Sequence, residues 1–207
     1  MRSGHTPALR LSDKPKVVSL PQIQSRIPRP EELVVLSKPL LDATITIGKI
    51  LTDSTKNWAI GGDVGEVISG VNVRPDRIAV LTTREGCDEI SRKLAKYEIE
   101  PPRMVERQLE RDALVDLKLH KIWIKSYTSR FNVEGSRLDV HGDLQIRVGD
   151  WGWGDPLDFE PDHVYVVGVK VPVVPLKLKN DIYTGLGWTD RVVKIHEAVV
   201  RSRHMFG

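Results

Sequence analysis

Between Ser136 and Val148 the chain reads Ser-Arg-Leu-Asp-Val-His-Gly-Asp-Leu-Gln-Ile-Arg-Val, alternating polar and apolar positions almost without interruption. Successive side chains of a β-strand point to opposite faces. The pattern therefore predicts a strand that buries Leu138, Val140, Leu144, Ile146 and Val148 and shows Arg137, Asp139, His141, Asp143, Gln145 and Arg147 on its other face. Strand character also runs from Lys121 to Val133, and Glu134-Gly135 between the two runs predicts a long hairpin.

Upstream, Leu40, Ala43, Ile47, Ile50 and Leu51 recur at helical spacing behind Ser37, an N-cap candidate two residues before Pro39. Thr44, Ile45, Thr46 and Ile47 are β-branched and lower this helix's own propensity, so its stability is expected to come from docking. Trp58 to Ile60 reads as a short buried strand and Gly61-Gly62 as a tight turn. Asp63 is then placed to cap a short helix with Val64, Val67 and Ile68 on one face, stopped by Gly70. Arg77 to Leu81 suits a fully buried strand. Thr82-Thr-Arg-Glu has capping-box spacing for a helix that runs to about Tyr97 and buries Cys87, Ile90 and Leu94; Pro101-Pro102 bar its continuation.

Met104 to Leu119 mixes charges of both signs and reads as charged edge structure. Asp150-Trp-Gly-Trp-Gly-Asp-Pro is a loop whose Trp151 and Trp153 either cover the end of a core or stack on a base. His163 to Val174 predicts a second hairpin. Two helices follow, one from Leu176 to Leu186 ending at Gly187, the other from Thr189 with Val192, Ile195 and Val199 buried.

Composition narrows the class. The 207 residues, 40% hydrophobic and 29% charged, match an ordinary globular mixture, and no apolar run reaches a membrane span. Without a signal-peptide core at Met1-Arg-Ser-Gly-His-Thr-Pro, a cytoplasmic location is expected. Cys87 is the sole cysteine, which rules out an intrachain disulfide and a cysteine-rich zinc site. Charge is unevenly spread. Met1 to Pro30 carries six basic residues against the single acid Asp13, a net +5, so the remaining residues come to −2 of the chain's +3. With Pro7, Pro15, Pro21, Pro28 and Pro30 and little periodicity, residues 1–36 read as an extended basic arm, a candidate contact for nucleic acid or a protein partner. Residues 37–207 form the folded domain.

Two features bring in chemistry. Alternate strand positions lie roughly 6.5 to 7 Å apart, so Asp139, His141 and Asp143 form a row able to share a divalent metal, unless the row is simply a solvated strand face. A glycine pair between strand and helix leaves backbone N–H groups open to a phosphate; as a bare turn it does nothing of the kind.

The order of these parts resembles the nucleotidyltransferase-fold superfamily over roughly Pro39 to Val200: a packing helix, Trp58-Ala-Ile-Gly61-Gly62 leading into a helix, a strand and helix, Leu138-Asp139-Val140, and C-terminal helices behind Gly185-Leu-Gly-Trp-Thr-Asp190. The resemblance implies an α/β (α+β) fold with a mixed β-sheet flanked by helices, C-terminal helices from about residue 175 and the extended arm ahead of it. It also implies a nucleoside triphosphate lying against Gly61, Gly62 and the helix start at Asp63. Asp139 would be the third of three catalytic carboxylates, with Mg2+ as cofactor. A lysine common before the last aspartate is Thr189 here. The two acids that the family places one residue apart on its second strand correspond to Arg77 and Ala79, or to Asp76 and Ile78 if the alignment slides by one residue.

Three functions follow. The first is a nucleotide-binding member of this fold with weakened or lost transfer, in which Arg77 meets a phosphate directly. The second is an active enzyme moving a nucleoside monophosphate from a triphosphate to a hydroxyl, using Asp139 with Asp76 as an unorthodox partner. The third is an unrelated metal-dependent hydrolase built on Asp139, His141 and Asp143. The sequence does not define an oligomeric state, and no membrane partner is expected.

Overall fold

The computed structural model describes residues 35–205. Along them run α1 (Lys38–Ile50), β1 (Trp58–Gly61), α2 (Gly62–Ile68), β2 (Ile78–Thr82), α3 (Arg84–Lys93), β3 (Glu98–Gln108), β4 (Ala113–Val115), β5 (Lys118–His120), β6 (Ile122–Val133), β7 (Ser136–Val148), β8 (Asp162–Val166), β9 (Val169–Val173), α4 (Leu176–Gly185) and α5 (Thr189–Met205). Among the described residues a seven-stranded sheet has the order β3-β6-β7-β2-β1-β9-β8, and β4 and β5 form a separate hairpin. The large sheet is mixed: β2 runs parallel to β7 and β1 parallel to β9, while the other neighbours are antiparallel. The expected mixed sheet with flanking and C-terminal helices is therefore present.

One face of the sheet carries the main core. Leu40, Ala43 and Ile47 of α1 and Cys87 and Ile90 of α3 pack with Ile60, Ile78, Val80, Phe131, Leu138 and Val140 from the central strands. Ile47 is fully buried, and burial of one such side chain stabilises by roughly 1.5–3 kcal/mol. That contribution lets a helix with a β-branched stretch hold its shape. Leu36 belongs to the same cluster, while residues 1–34 of the basic arm lie outside the described residues.

Several local expectations shift. The N-cap of α3 is Thr83, which accepts from the Gly86 amide at 3.1 Å, whereas the Thr82 hydroxyl donates to the Asn57 carbonyl at 2.6 Å. The N-cap of α2 is Gly61, so Asp63 lies inside the first turn instead of capping it. α3 ends at Lys93, earlier than the expected Tyr97, with a 3-10 turn over Ala95–Tyr97, and Pro101 and Pro102 do not stop it: they lie inside β3, an edge strand with register shifts between Glu98 and Glu100 and between Glu100 and Arg103.

The largest correction concerns β7. It pairs with β6 as a hairpin through Glu134 and Gly135, both at positive φ, as a two-residue turn of this type requires. Tyr127 opposes Gly142 and Lys125 opposes Gln145, so two residues of β7 stand against one of β6, and Asp143 takes a φ of 51°. This is a β-bulge. One extra residue reverses the faces of everything beyond it. Leu138 and Val140 point into the main core, whereas Ile146 and Val148 lie on the side of Asp139 and His141 and pack with Ala113, Ile122, Ile182 and Leu186. The apolar positions of β7 thus serve two cores.

The second core ties α4 and the β4-β5 hairpin to the far end of β6 and β7. Leu114 donates its amide to the Leu186 carbonyl at 3.0 Å, and the Trp188 indole donates to the Asp112 carbonyl at 2.9 Å. Trp151 packs against this cluster and so covers a core end, while Trp153 has the cations of Lys125 and Arg147 over its ring. A third cluster joins Val71 and Val73, after α2, to Ile195 and Ala198 of α5. Among the described residues no helix is long and apolar enough to cross a membrane.

Candidate functional site

Pairing across five strands places Gly61, Ala79, Asp139, Arg130 and Glu100 side by side, each opposite the next. Laterally paired residues share a face, so the end of the glycine turn, the middle of β2 and the carboxylate of β7 meet on one side of the sheet. A Cβ built on Gly62, whose φ is +52°, would stand 3.4 Å from that of Ala79. The first six residues of β7, ahead of the bulge, bring Asp139 to this row.

The carboxylate of Asp139 is almost wholly buried and held by guanidinium groups. Arg137 approaches with Nε 2.9 Å from Oδ1 and Nη2 2.8 Å from Oδ2, Arg130 donates from Nε to Oδ1 at 3.1 Å, and Nε of Arg77 stands 4.0 Å from Oδ2. Arg130 also bonds Glu100, which pairs with Arg103 as well. Burial alone would push the Asp139 carboxyl up, but the hydrogen bonds from Arg137 and Arg130 outweigh it, and the net effect is below the usual carboxylate range. Arg107, from β3, lies within electrostatic reach of Asp139 and of the other three arginines. Partial burial, followed by the repulsion of Arg77, Arg137 and Arg130, pulls its pKa down, with Asp139 opposing.

His141 does not share a ligand site with Asp139 and Asp143. Its Nδ1 lies 3.1 Å from the Ser126 hydroxyl and 3.2 Å from that of Thr128, and burial depresses its pKa to about 4. The bulge leaves Asp143 exposed. Among the described residues no group of three or more His, Cys, Asp or Glu is placed to hold a metal ion. Asp76 stands at the solvent side of the cluster, its side chain 80% exposed and its charge partner Arg77 at 3.9 Å.

The glycine turn is fixed from behind. Lys179, nearly buried, donates from Nζ to the Gly62 carbonyl at 2.9 Å and lies 4.0 Å from the buried Glu66. Glu66 accepts from Tyr183 at 2.5 Å and from Arg191 at 3.1 Å, and Arg191 also grips Asp63 through both carboxylate oxygens at 2.9 and 3.3 Å. Asp63 is thus a partner of α5, placed beside the turn but already engaged.

Magnesium takes oxygen ligands in near-octahedral geometry. Of the positions at which the resemblance expects them, Ala79 has no donor atom, Arg77 is itself a cation, and both oxygens of Asp139 already accept from guanidinium groups. The residues present do not fit a magnesium site.

Of the residues singled out in the sequence, the structure places Gly61, Gly62, Arg77 and Asp139 near one another on one face. Sequence reasoning missed Arg107, Arg130 and Arg137, and the support from Glu66, Lys179, Tyr183 and Arg191. One signal was available: counting outward from the two-residue turn at Glu134-Gly135 sets Arg130 opposite Asp139. The support network joins residues more than a hundred positions apart, and nothing local announces it.

No family model and no curated protein matches the sequence. Solved structures do. A provisionally assigned nucleotidyltransferase from Thermotoga maritima, TM1012, is 23% identical, with a TM-score of 0.55 over 75% of this chain and 89% of its own. The lincosamide antibiotic adenylyltransferase LnuA, in its lincomycin-bound form, is 11% identical with a TM-score of 0.43 over 74% and 94% of the two chains. ANT(2")-Ia, in complex with adenylyl-2"-tobramycin, is 15% identical with a TM-score of 0.33 over 76% and 94%.

Proposed function

We propose that this chain, which has the fold of the nucleotidyltransferase superfamily, binds a nucleoside triphosphate at the glycine turn and has weakened or lost the transfer reaction. The observation that carries this reading is the state of Asp139. Metal-assisted phosphoryl transfer relies on an ion to neutralise charge developing on the phosphate oxygens. Here the carboxylate that would help hold that ion is occupied by Arg137 and Arg130, and its neighbour in the row is Ala79.

The chain's own groups support binding. Gly61 and Gly62 present backbone at the start of α2, Lys179 fixes the Gly62 carbonyl, and Arg77 stands beside the row with part of its side chain exposed. A guanidinium meets phosphate oxygens through paired hydrogen bonds. The basic segment before the domain adds a contact for a nucleic-acid or protein partner, in keeping with the net +5 of residues 1–30.

The test combines binding and turnover. Purified protein is titrated with each common nucleoside triphosphate, then incubated with the same nucleotides, magnesium and hydroxyl acceptors. The expected result is saturable nucleotide binding with little transfer. Robust transfer, abolished by Asp139→Asn and insensitive to changes at Arg77 and Ala79, overturns the reading in favour of an active transferase.

A further inference from the structure

The arginines around Asp139 outnumber the acids that face them. Arg77, Arg130 and Arg137 converge on Asp139, and Arg107, on β3 opposite Ile124, lies on the same face within electrostatic reach of them; Asp139 and Glu100 supply the carboxylates bonded to Arg130 and Arg137. Asp76 reaches Arg77 only at 3.9 Å and from solvent, and Glu106 is turned to Arg147. Arg107 makes no hydrogen bond to a carboxylate among the described residues, although three other guanidiniums are near enough to disfavour its charge. Gathering like charges on a rigid strand face costs stability unless an anion joins them.

We propose that this face is a metal-independent polyphosphate site in which Arg77 and Arg107 take the phosphate oxygens, while Asp139 anchors Arg130 and Arg137 as their neighbours. The inference rests on the nucleotide-binding reading and deepens it. Guanidinium groups replace the ion as the source of positive charge, and Asp139 has changed from a candidate metal ligand into the counter-charge that orients two of them. Arg77 and Arg107 are the members free to turn. Arg77 misses hydrogen-bond distance to Asp139, at 4.0 Å, and Arg107 is exposed on the edge strand β3. Gly61, Ala79 and Asp139 share one lateral row of the sheet, and Arg77 precedes Ala79 by two residues on the same face.

The test is calorimetric titration of the full chain with inorganic triphosphate and with ATP, each in excess EDTA and in millimolar magnesium. Binding in EDTA is expected, and magnesium should weaken it because complexation removes anionic charge. Arg107→Gln should lower affinity roughly tenfold or more, the loss of one charge-assisted hydrogen bond. Arg107→Lys should recover part of that loss, since an ammonium lacks the planar fork. Because Arg107 makes no hydrogen bond to a carboxylate among the described residues, its variants should keep the parent's circular dichroism, and Arg107→Gln should leave the thermal midpoint equal to or slightly above the parent's as the repulsion is relieved.

Binding of both ligands only in magnesium overturns the proposal and leaves nucleotide binding standing. Binding of neither ligand under either condition overturns both. Metal-free binding of triphosphate with no gain for ATP supports the site and removes adenosine from it. Affinity unchanged in Arg107→Gln and in Arg77→Gln also overturns the proposal.

Discussion

Arg137 closes on Asp139 from two positions earlier on the same strand, setting two nitrogens at 2.9 and 2.8 Å from its two oxygens. Each residue therefore depends on the other for its place on the sheet. Removing the carboxylate charge leaves guanidiniums crowded together without compensation. Asp139→Asn is expected to cost about 2–4 kcal/mol, toward the lower side for a buried ion pair because the arginines are partly exposed. Urea unfolding with an unchanged m-value measures it. Unaltered stability would mean that Asp139 is not the anchor.

Restoring acids at the two β2 positions provides a second prediction. Arg77→Asp with Ala79→Asp puts two carboxylates on one face beside Asp139, an oxygen-rich site of the kind magnesium prefers. Magnesium affinity should rise in the double variant by more than the two single changes combined, because each acid needs the other to complete the coordination. Titration of magnesium against the four proteins gives the coupling directly.

Lys179 makes stability depend on pH in a defined window. Burial lowers its pKa from lysine's ordinary 10.5 to about 8, with Glu66 and Asp63 pulling the other way. Below pH 8 both folded and unfolded states hold the proton and the cost of burying the charge is fully present. Between pH 8 and 10.5 the unfolded state binds more protons, so stability rises with pH. The slope is on the order of 1 kcal/mol per pH unit, or about 2–4 °C in Tm for a chain of this size. The Tyr183 hydroxyl, raised by burial and by Glu66, stays protonated throughout this range. Melting curves of the parent and Lys179→Met from pH 7 to 10 should differ in slope, with the rise present in the parent alone.

The bulge supplies a fourth expectation. Asp143 sits at a φ of 51°, where glycine is unstrained and a β-branched residue is not. Asp143→Gly should leave stability within about 1 kcal/mol of the parent, whereas Asp143→Val should cost roughly 1–3 kcal/mol. If Asp143 held a metal, Asp143→Gly would also change the response of Tm to divalent ions; no change is expected.

Residue 143 also shows what could be read in the sequence. Alternation from Leu138 to Val148 is regular enough to imply one straight strand with one buried face, and the strand is indeed there. The face reverses because both sides of β7 are covered in turn, by α1 and α3 before Asp143 and by α4 with the β4-β5 hairpin after it. Only Gly142-Asp143, an unusual pair for a strand interior, hinted at the break. Helices fared better. Ser37 and Pro39 at the start of α1, where Ser37 holds the N-cap position without a side-chain hydrogen bond, the buried stripe Cys87, Ile90 and Leu94, and Gly187 behind α4 are local signals.

The site was half legible for the same reason. Gly61, Gly62 and Asp139 announce themselves by residue type and spacing. The guanidinium cluster is assembled from β2, β3, β6 and β7, and its members look individually like ordinary surface arginines. Their convergence follows from hairpin register and strand order, and strand order is fixed by packing beyond any single segment.

The prolines in β3 have a consequence for the molecule among its neighbours. In a regular strand consecutive amides face opposite edges, so of two adjacent prolines one strips a donor from the outward side. Pro101 and Pro102 lie on an eleven-residue outer strand that also exposes Ile99 and Met104, with one register shift before them and a second spanning them. A stray strand meeting that border finds grease but an interrupted ladder of partners. The sheet is in this way blunted along its β3 border.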